Sequence, residues 1–203
     1  MPLRVNELDA GINYWRNETS WPPDYHNAFY RRMRDDINLN YTFDQVWWQK
    51  FRRELHRWRA TRPKSYAYLT ERFEANREAL QSAWNLHISA NLKKDIENMN
   101  WQDICEFPAI VSQIKGVVPP VFTSKFCHFL APSIFPVIDN EAMGMPFDSY
   151  EEYYNFARDE WRQTNARTQV QLVDHIIIAI GREQLFEGYP LKCKVIELCL
   201  IGR

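Results

Sequence analysis

Glycine, cysteine and histidine are scarce in this chain, net charge is close to zero, and no apolar run is long. Six Gly beside eleven Pro rule out a low-complexity chain. Cys105, Cys127, Cys193 and Cys199 are too few and too scattered for a disulfide framework, which fits a reducing cytoplasm. The five histidines lie far apart, with no helical pair at metal-ligand spacing, so no zinc site is readable. The longest apolar run, Ile176 to Ile180, falls far short of a bilayer span. Met1 to Ala10 is polar and lacks the apolar core of a secretion signal. A net charge of −1 gives no global attraction to nucleic acid, so any such binding needs a local patch.

Apolar residues make up 45% of the 203 and aromatics 15%, enough to bury a core in one large domain or two small lobes sharing one. Residues 1–23 read as irregular. Asp24 caps a helix expected from Tyr25 to Ile37, with Arg31, Arg32 and Arg34 on its polar side, and Asn38 to Tyr41 reads as a turn. Thr42 with Gln45 forms a capping box that opens a helix to about Ala60. Further helices are expected from Tyr66 to Leu86, from Ser89 or Asn91 to Ile96, over Trp101 to Phe107, and over Pro108 to Ile114. The last three run from Asp148 or Ser149 to Thr164, from Ala166 to Ile180 with Gly181 as its stop, and from Leu191 to Ile201. No segment alternates with the period of a strand, so the chain reads as all-α.

The helix after Thr42 has two characters. Trp47, Trp48, Phe51, Leu55 and Trp58 share a broad apolar face, while Lys50, Arg53 and Arg57 share another. With Arg52, Arg59, Arg62 and Lys64 this is the densest basic stretch. It reads as a phosphate-tracking stripe or, more commonly for a single basic helix, as a solvated face.

The most informative stretch is Ile114 to Met143. Gly116 permits a sharp turn between helices, and Pro119-Pro120 can begin the next one. Val121, Phe122, Phe126, Phe129 and Leu130 keep one helical face apolar. Phe135-Pro136-Val137-Ile138 then runs extended, and Asp139 caps a further, brief helix. This segment resembles the active-site region of the helix-hairpin-helix DNA glycosylase superfamily. Its members carry a hairpin of the form Leu-x-Gly-Val-Gly-x-x-x-Ala, then a helix, then Phe-Pro, two apolar residues and the catalytic aspartate. Ile114-Lys115-Gly116-Val117-Val118 takes the hairpin position and Phe135 to Asp139 the second element. The separation of Gly116 and Asp139 is within a residue of that in bacterial adenine DNA glycosylases, and the resemblance covers about thirty residues.

The resemblance implies an all-α, two-lobed bundle with its active site in the cleft between the lobes. Residues 25–136 would form the lobe carrying the hairpin (about 108–131), and 1–24 with 137–203 the other. It implies that Asp139 stabilises the cationic sugar formed as an N-glycosidic bond breaks. Backbone N–H groups of Gly116, Val117 and Val118 would hold a DNA phosphate, helped by Ser124 and Lys125. Val118 in place of the family's second Gly, and Pro119-Pro120, weaken that grip or reduce the hairpin to a packing turn. Tyr25, Trp47, Trp48 and His128 are candidates to line a pocket for an extruded base. The family's Schiff-base lysine position is Pro120 or Val121 here, and Lys115 and Lys125 are poor substitutes, so no strand-nicking activity is expected. Cys193 and Cys199 have the spacing of the last two ligands of the family's iron–sulfur cluster, but the first two are absent, so no cluster or other cofactor is expected. The implied protein is a cytoplasmic, nucleoid-associated monomer acting on DNA and not on membranes. It would excise a damaged, mispaired or modified base, including a hypermodified base of viral DNA. Two other readings stay open: a non-catalytic helix-hairpin-helix DNA-binding module, and a helical protein-interaction domain.

Overall fold

The computed structural model describes residues 1–36, 42–116 and 120–203, which form helices and contain no strand. Eleven α-helices succeed one another among these residues: α1 Val5–Asn17, α2 Asn27–Asp36, α3 Gln45–Arg57, α4 Tyr66–Ala83, α5 Trp101–Ile104, α6 Glu106–Lys115, α7 Pro120–Leu130, α8 Asn140–Met143, α9 Tyr150–Gln163, α10 Ala166–Ile180 and α11 Leu191–Ile201. None of the described helices is long and apolar enough to cross a membrane.

Helix α1 corrects the expectation of an irregular start. The Glu7 carboxylate accepts from the Arg4 N–H, and Leu8, Ile12 and Trp15 are buried. The helix owes its place to a close crossing with α11. A Cβ on Gly11 would lie 1.9 Å from the Leu198 carbonyl oxygen, and one on Gly202 would lie 2.0 Å from that of Glu7. In α11 every residue from Cys193 to Ile201 is buried, so it has no solvent face. It packs against α1, α8, α9 and α10.

Several boundaries differ from those expected. Asp24 does accept the Ala28 N–H at 2.7 Å, but Tyr25 and His26 are left-handed (φ 53° and 66°), so α2 begins at Asn27. Asp44 rather than Thr42 caps α3, accepting from the Trp47 N–H at 2.7 Å. That helix stops at Arg57, before a left-handed Arg59. Beyond α4 the chain widens into a π-type turn over Trp84–Ile88. Two short 3₁₀ turns, Ser89–Asn91 and Ile96–Asn98, then take the place of the regular helix expected there. The expected turn from Asn38 to Tyr41 lies outside the described residues, as do Ile37 and Pro119.

The aromatic face of α3 is core. Trp48 stacks on Phe73 of α4 at 4.3 Å, and Phe51 meets Phe126 of α7 at 4.8 Å. Helices α4, α6 and α7 pack on one another, while α1, α9, α10 and α11 form another set of contacts. Contacts from α7 to α9 join the two sets, and α8 packs on α11.

Candidate functional site

Phe135 to Ile138 is buried backbone outside any helix, and while the Phe135 N–H bonds the Ala131 carbonyl, other polar groups of the segment turn to side chains. Helices α7 and α9 supply them in sequence. His128 Nδ1–H donates to the Phe135 carbonyl at 2.6 Å, Tyr150 to that of Pro136 at 2.9 Å, and Tyr153 to that of Val137 at 2.5 Å. The Ile138 N–H donates to Ser124 Oγ at 3.3 Å. Four side chains thus fasten four consecutive residues, and the next residue is Asp139. It is only half-buried, and its carboxylate accepts the Ala142 N–H at 3.3 Å as the cap of α8. Gly144, left-handed at φ 61°, ends that helix after one turn.

The clamp fixes the state of His128. A carbonyl can only accept, so Nδ1 carries the proton and Nε2 accepts from Tyr30 Oη at 2.6 Å. Burial, aided by the Lys194 ammonium, lowers the imidazole pKa to about 3, with the Phe135 bond pulling it back slightly. The ring is therefore neutral at physiological pH.

Lys125, whose ammonium interacts with the Asp139 carboxylate, belongs to a basic cluster. Lys125 Nζ donates to the Trp58 carbonyl at 3.0 Å, and Lys115 Nζ to that of Ala60 at 2.8 Å. These carbonyls lie just past the C-terminal end of α3, where cations are favoured. Burial lowers both ammonium pKa values. For Lys125 the Asp139 and Glu197 carboxylates pull the other way, while for Lys115 the charges of Lys125 and Lys64 add to the drop. Both lysines tie the 58–65 loop to α6 and α7. Arg59 and Arg62 on this loop are exposed, as is Arg57 at the end of α3, which pairs with Glu54, and Lys64 lies over the Tyr68 ring at 4.7 Å. Tyr68 in turn covers Gly116, where a Cβ would meet its hydroxyl at 2.3 Å. The loop after the basic helix, rather than the stripe along it, is what sits beside Gly116.

Other site residues fall elsewhere than expected. Ser124 is fully buried and spends its hydroxyl on Val121 and Ile138, so it holds the Asp139 segment and reaches no phosphate. Lys125 points inward to Trp58 rather than outward. Gly116 is exposed and left-handed (φ 66°), but its N–H already bonds the Ser112 carbonyl at 3.2 Å. Val117 and Val118 lie outside the described residues. Trp47 and Trp48 are core, His128 is part of the clamp, and Tyr25 is buried against Trp15 at 5.5 Å. All four are buried.

A buried charge cluster escaped the sequence reading. In α11 the Lys194 ammonium bonds Glu197 at 2.6 Å and lies 3.4 Å from His26 Nδ1, above the Trp15 ring. Burial pushes the Glu197 carboxyl up and Lys194 pulls it part of the way back. His26 is held neutral by burial and by the neighbouring charges of Lys194 and Lys125. Its Nε2 has no hydrogen-bond partner among the described residues, and its ring meets Trp58 edge-on at 3.9 Å. The readable signal was a Lys and a Glu three apart inside an otherwise apolar helix. Among the described residues no group of three or more His, Cys, Asp or Glu is placed to hold a metal ion. Cys193 and Cys199 are buried thiols bonded to different carbonyls, those of Ser133 and Arg4.

In comparisons with known proteins, the chain matches no family model, no curated protein and no solved structure.

Proposed function

We propose that this chain is a monofunctional DNA glycosylase, hydrolysing the N-glycosidic bond of a damaged, mispaired or modified base to leave an abasic site. The observation that carries the reading is the clamp. Four side chains from two helices immobilise the backbone leading to a half-exposed aspartate, and Lys125, which interacts with that carboxylate, ties a basic loop to the same helix as two of them. That is the arrangement a preorganised carboxylate needs. Breaking the bond leaves positive charge on the sugar. A carboxylate fixed in advance stabilises that charge without reorganising, and orients or deprotonates the attacking water. Arg57, Arg59, Arg62 and Lys64 would neutralise phosphates of the strand that delivers the nucleotide, giving a local patch on a chain of net charge −1.

The α4–α6–α7 contacts and the α1–α9–α10–α11 contacts support two lobes with the catalytic aspartate between them, and the start of α2 packs on the second of these through Tyr25 and Asn27. Pro120 or Val121 takes the family's nucleophile position, and Lys125 is tied to the Trp58 carbonyl. The enzyme therefore releases base without nicking the strand, and needs no cofactor to do so. A cytoplasmic, nucleoid-associated monomer fits this role. A second reading, a non-catalytic DNA-binding module, is favoured by the single-turn α8 and by the Gly116 N–H already spent within α6.

The test is incubation with genomic DNAs of differing base modification, including hypermodified viral DNA. Mass spectrometry of released bases and alkali cleavage report the outcome. Free base with alkali-labile sites in at least one DNA is expected. DNA binding without free base from any of them would leave the second reading.

A further inference from the structure

A groove of about 440 Å³ lies between α5, α6 and the first turns of α7 and α9. Its inner wall is aromatic. The rings of Trp101 and Tyr150 meet edge to face at 5.7 Å, and Ala109 faces them from α6. Carboxylates stand on two sides, Glu106 on α6 and Glu151 on α9, and no lysine or arginine is among the described residues that line it. Glu106 shares one oxygen with His87 Nε2 at 2.7 Å, and Glu151 is exposed with no ion pair among the described residues. Asp103, Asp148 and Glu152, all exposed, lie on the same helices or next to them. This face is opposite in sign to the loop around Arg59 and Arg62.

We propose that this groove binds a small organic cation with an apolar or aromatic body, of the arylalkylamine type. The aromatic corner attracts a cation through the ring quadrupoles, and the two carboxylates add Coulomb attraction from opposite walls. The apolar body takes the remaining wall. A neutral molecule of the same shape keeps only the apolar contact, and an anion is repelled from both sides. The volume suits one small ligand. Tyr150 separates the groove from the clamp, since its hydroxyl holds Pro136 while its ring faces the ligand. The assignment therefore stands or falls independently of the glycosylase reading.

The experiment is an NMR titration of the intact chain with 2-phenylethylamine and its neutral isostere 2-phenylethanol, read at the Trp101 indole N–H. A saturable shift is expected for the amine, with an affinity at least about tenfold above that of the alcohol. Glu106→Gln with Glu151→Gln should bring the two ligands within about twofold of one another, and Ala109→Trp should abolish both shifts. All three positions are exposed, and unchanged melting of the variants confirms that they fold. Absence of a saturable amine shift, equal affinity for the alcohol, or a preference that survives the double substitution overturns the proposal.

Discussion

Acidification tests the clamp on the Asp139 segment, because His128 holds Phe135 only as a neutral ring. The folded-state pKa is about 3 against 6.5 for the free side chain, and the ring is 1% exposed. The unfolded chain therefore takes up a proton below 6.5 that the folded chain refuses, and stability falls as pH drops through that window. Between about pH 7.5 and pH 5 the unfolded histidine becomes almost fully charged while the folded one stays neutral. The linkage integral is about 2 kcal/mol, and it grows to about 4 kcal/mol by pH 3. His26, also held neutral, adds loss of the same sign, and the raised Glu197 acts in the opposite sense. The contribution of His128 is isolated with His128→Asn, whose amide N–H₂ can still reach the Phe135 carbonyl but cannot titrate. Reversible urea unfolding followed by tryptophan fluorescence, for both proteins across this range, gives the difference. Wild type should lose about 2 kcal/mol more than the variant by pH 5. Parallel stability curves would show that His128 is not a neutral donor to Phe135, and the account of the clamp would fail with it.

Three other substitutions probe the geometry. Gly11→Ala drives a methyl into the Leu198 carbonyl, so a loss of roughly 3 kcal/mol and a Tm fall of roughly 10 °C are expected by calorimetry. Tyr153→Phe leaves the Val137 carbonyl without its donor. Stability should fall by about 1–3 kcal/mol, and base release should drop by about tenfold or more while DNA affinity stays within about twofold. Replacing Arg59, Arg62 and Lys64 by Ala should weaken DNA binding and flatten the slope of log K against log salt by roughly 0.9 per lost phosphate contact. An unchanged slope would remove this loop from the DNA surface.

Local chemistry made much of the fold readable. Asn165 and Gly181 bound α10, and Ser149 caps α9 with its hydroxyl on the Glu152 N–H. Asp139 was legible as a cap because it stands between a Pro-bounded extended segment and a short helical pattern. Helix α1 was not legible, because Gly11 and Asn13 argue against a helix until the close approach of α11 explains the glycine. The clamp was equally hidden. Ser124 reads as a polar residue on a helix, and only the packing of α7 against the 135–138 segment turns its hydroxyl inward. Tyr150 and Tyr153 read as ordinary core aromatics, with nothing local to say that their hydroxyls serve carbonyls of an earlier segment. Lys194 and Glu197 break the apolar run of α11, yet their burial depends on every helix around them.

The most direct measurement of the central claim is single-turnover base release by Asp139→Asn on a DNA that the wild-type protein processes, with DNA affinity measured in parallel. Asn keeps an oxygen to accept the Ala142 N–H but carries no charge. Release slowed by about a hundredfold or more at unchanged affinity is the predicted result. Release at the wild-type rate would contradict the account.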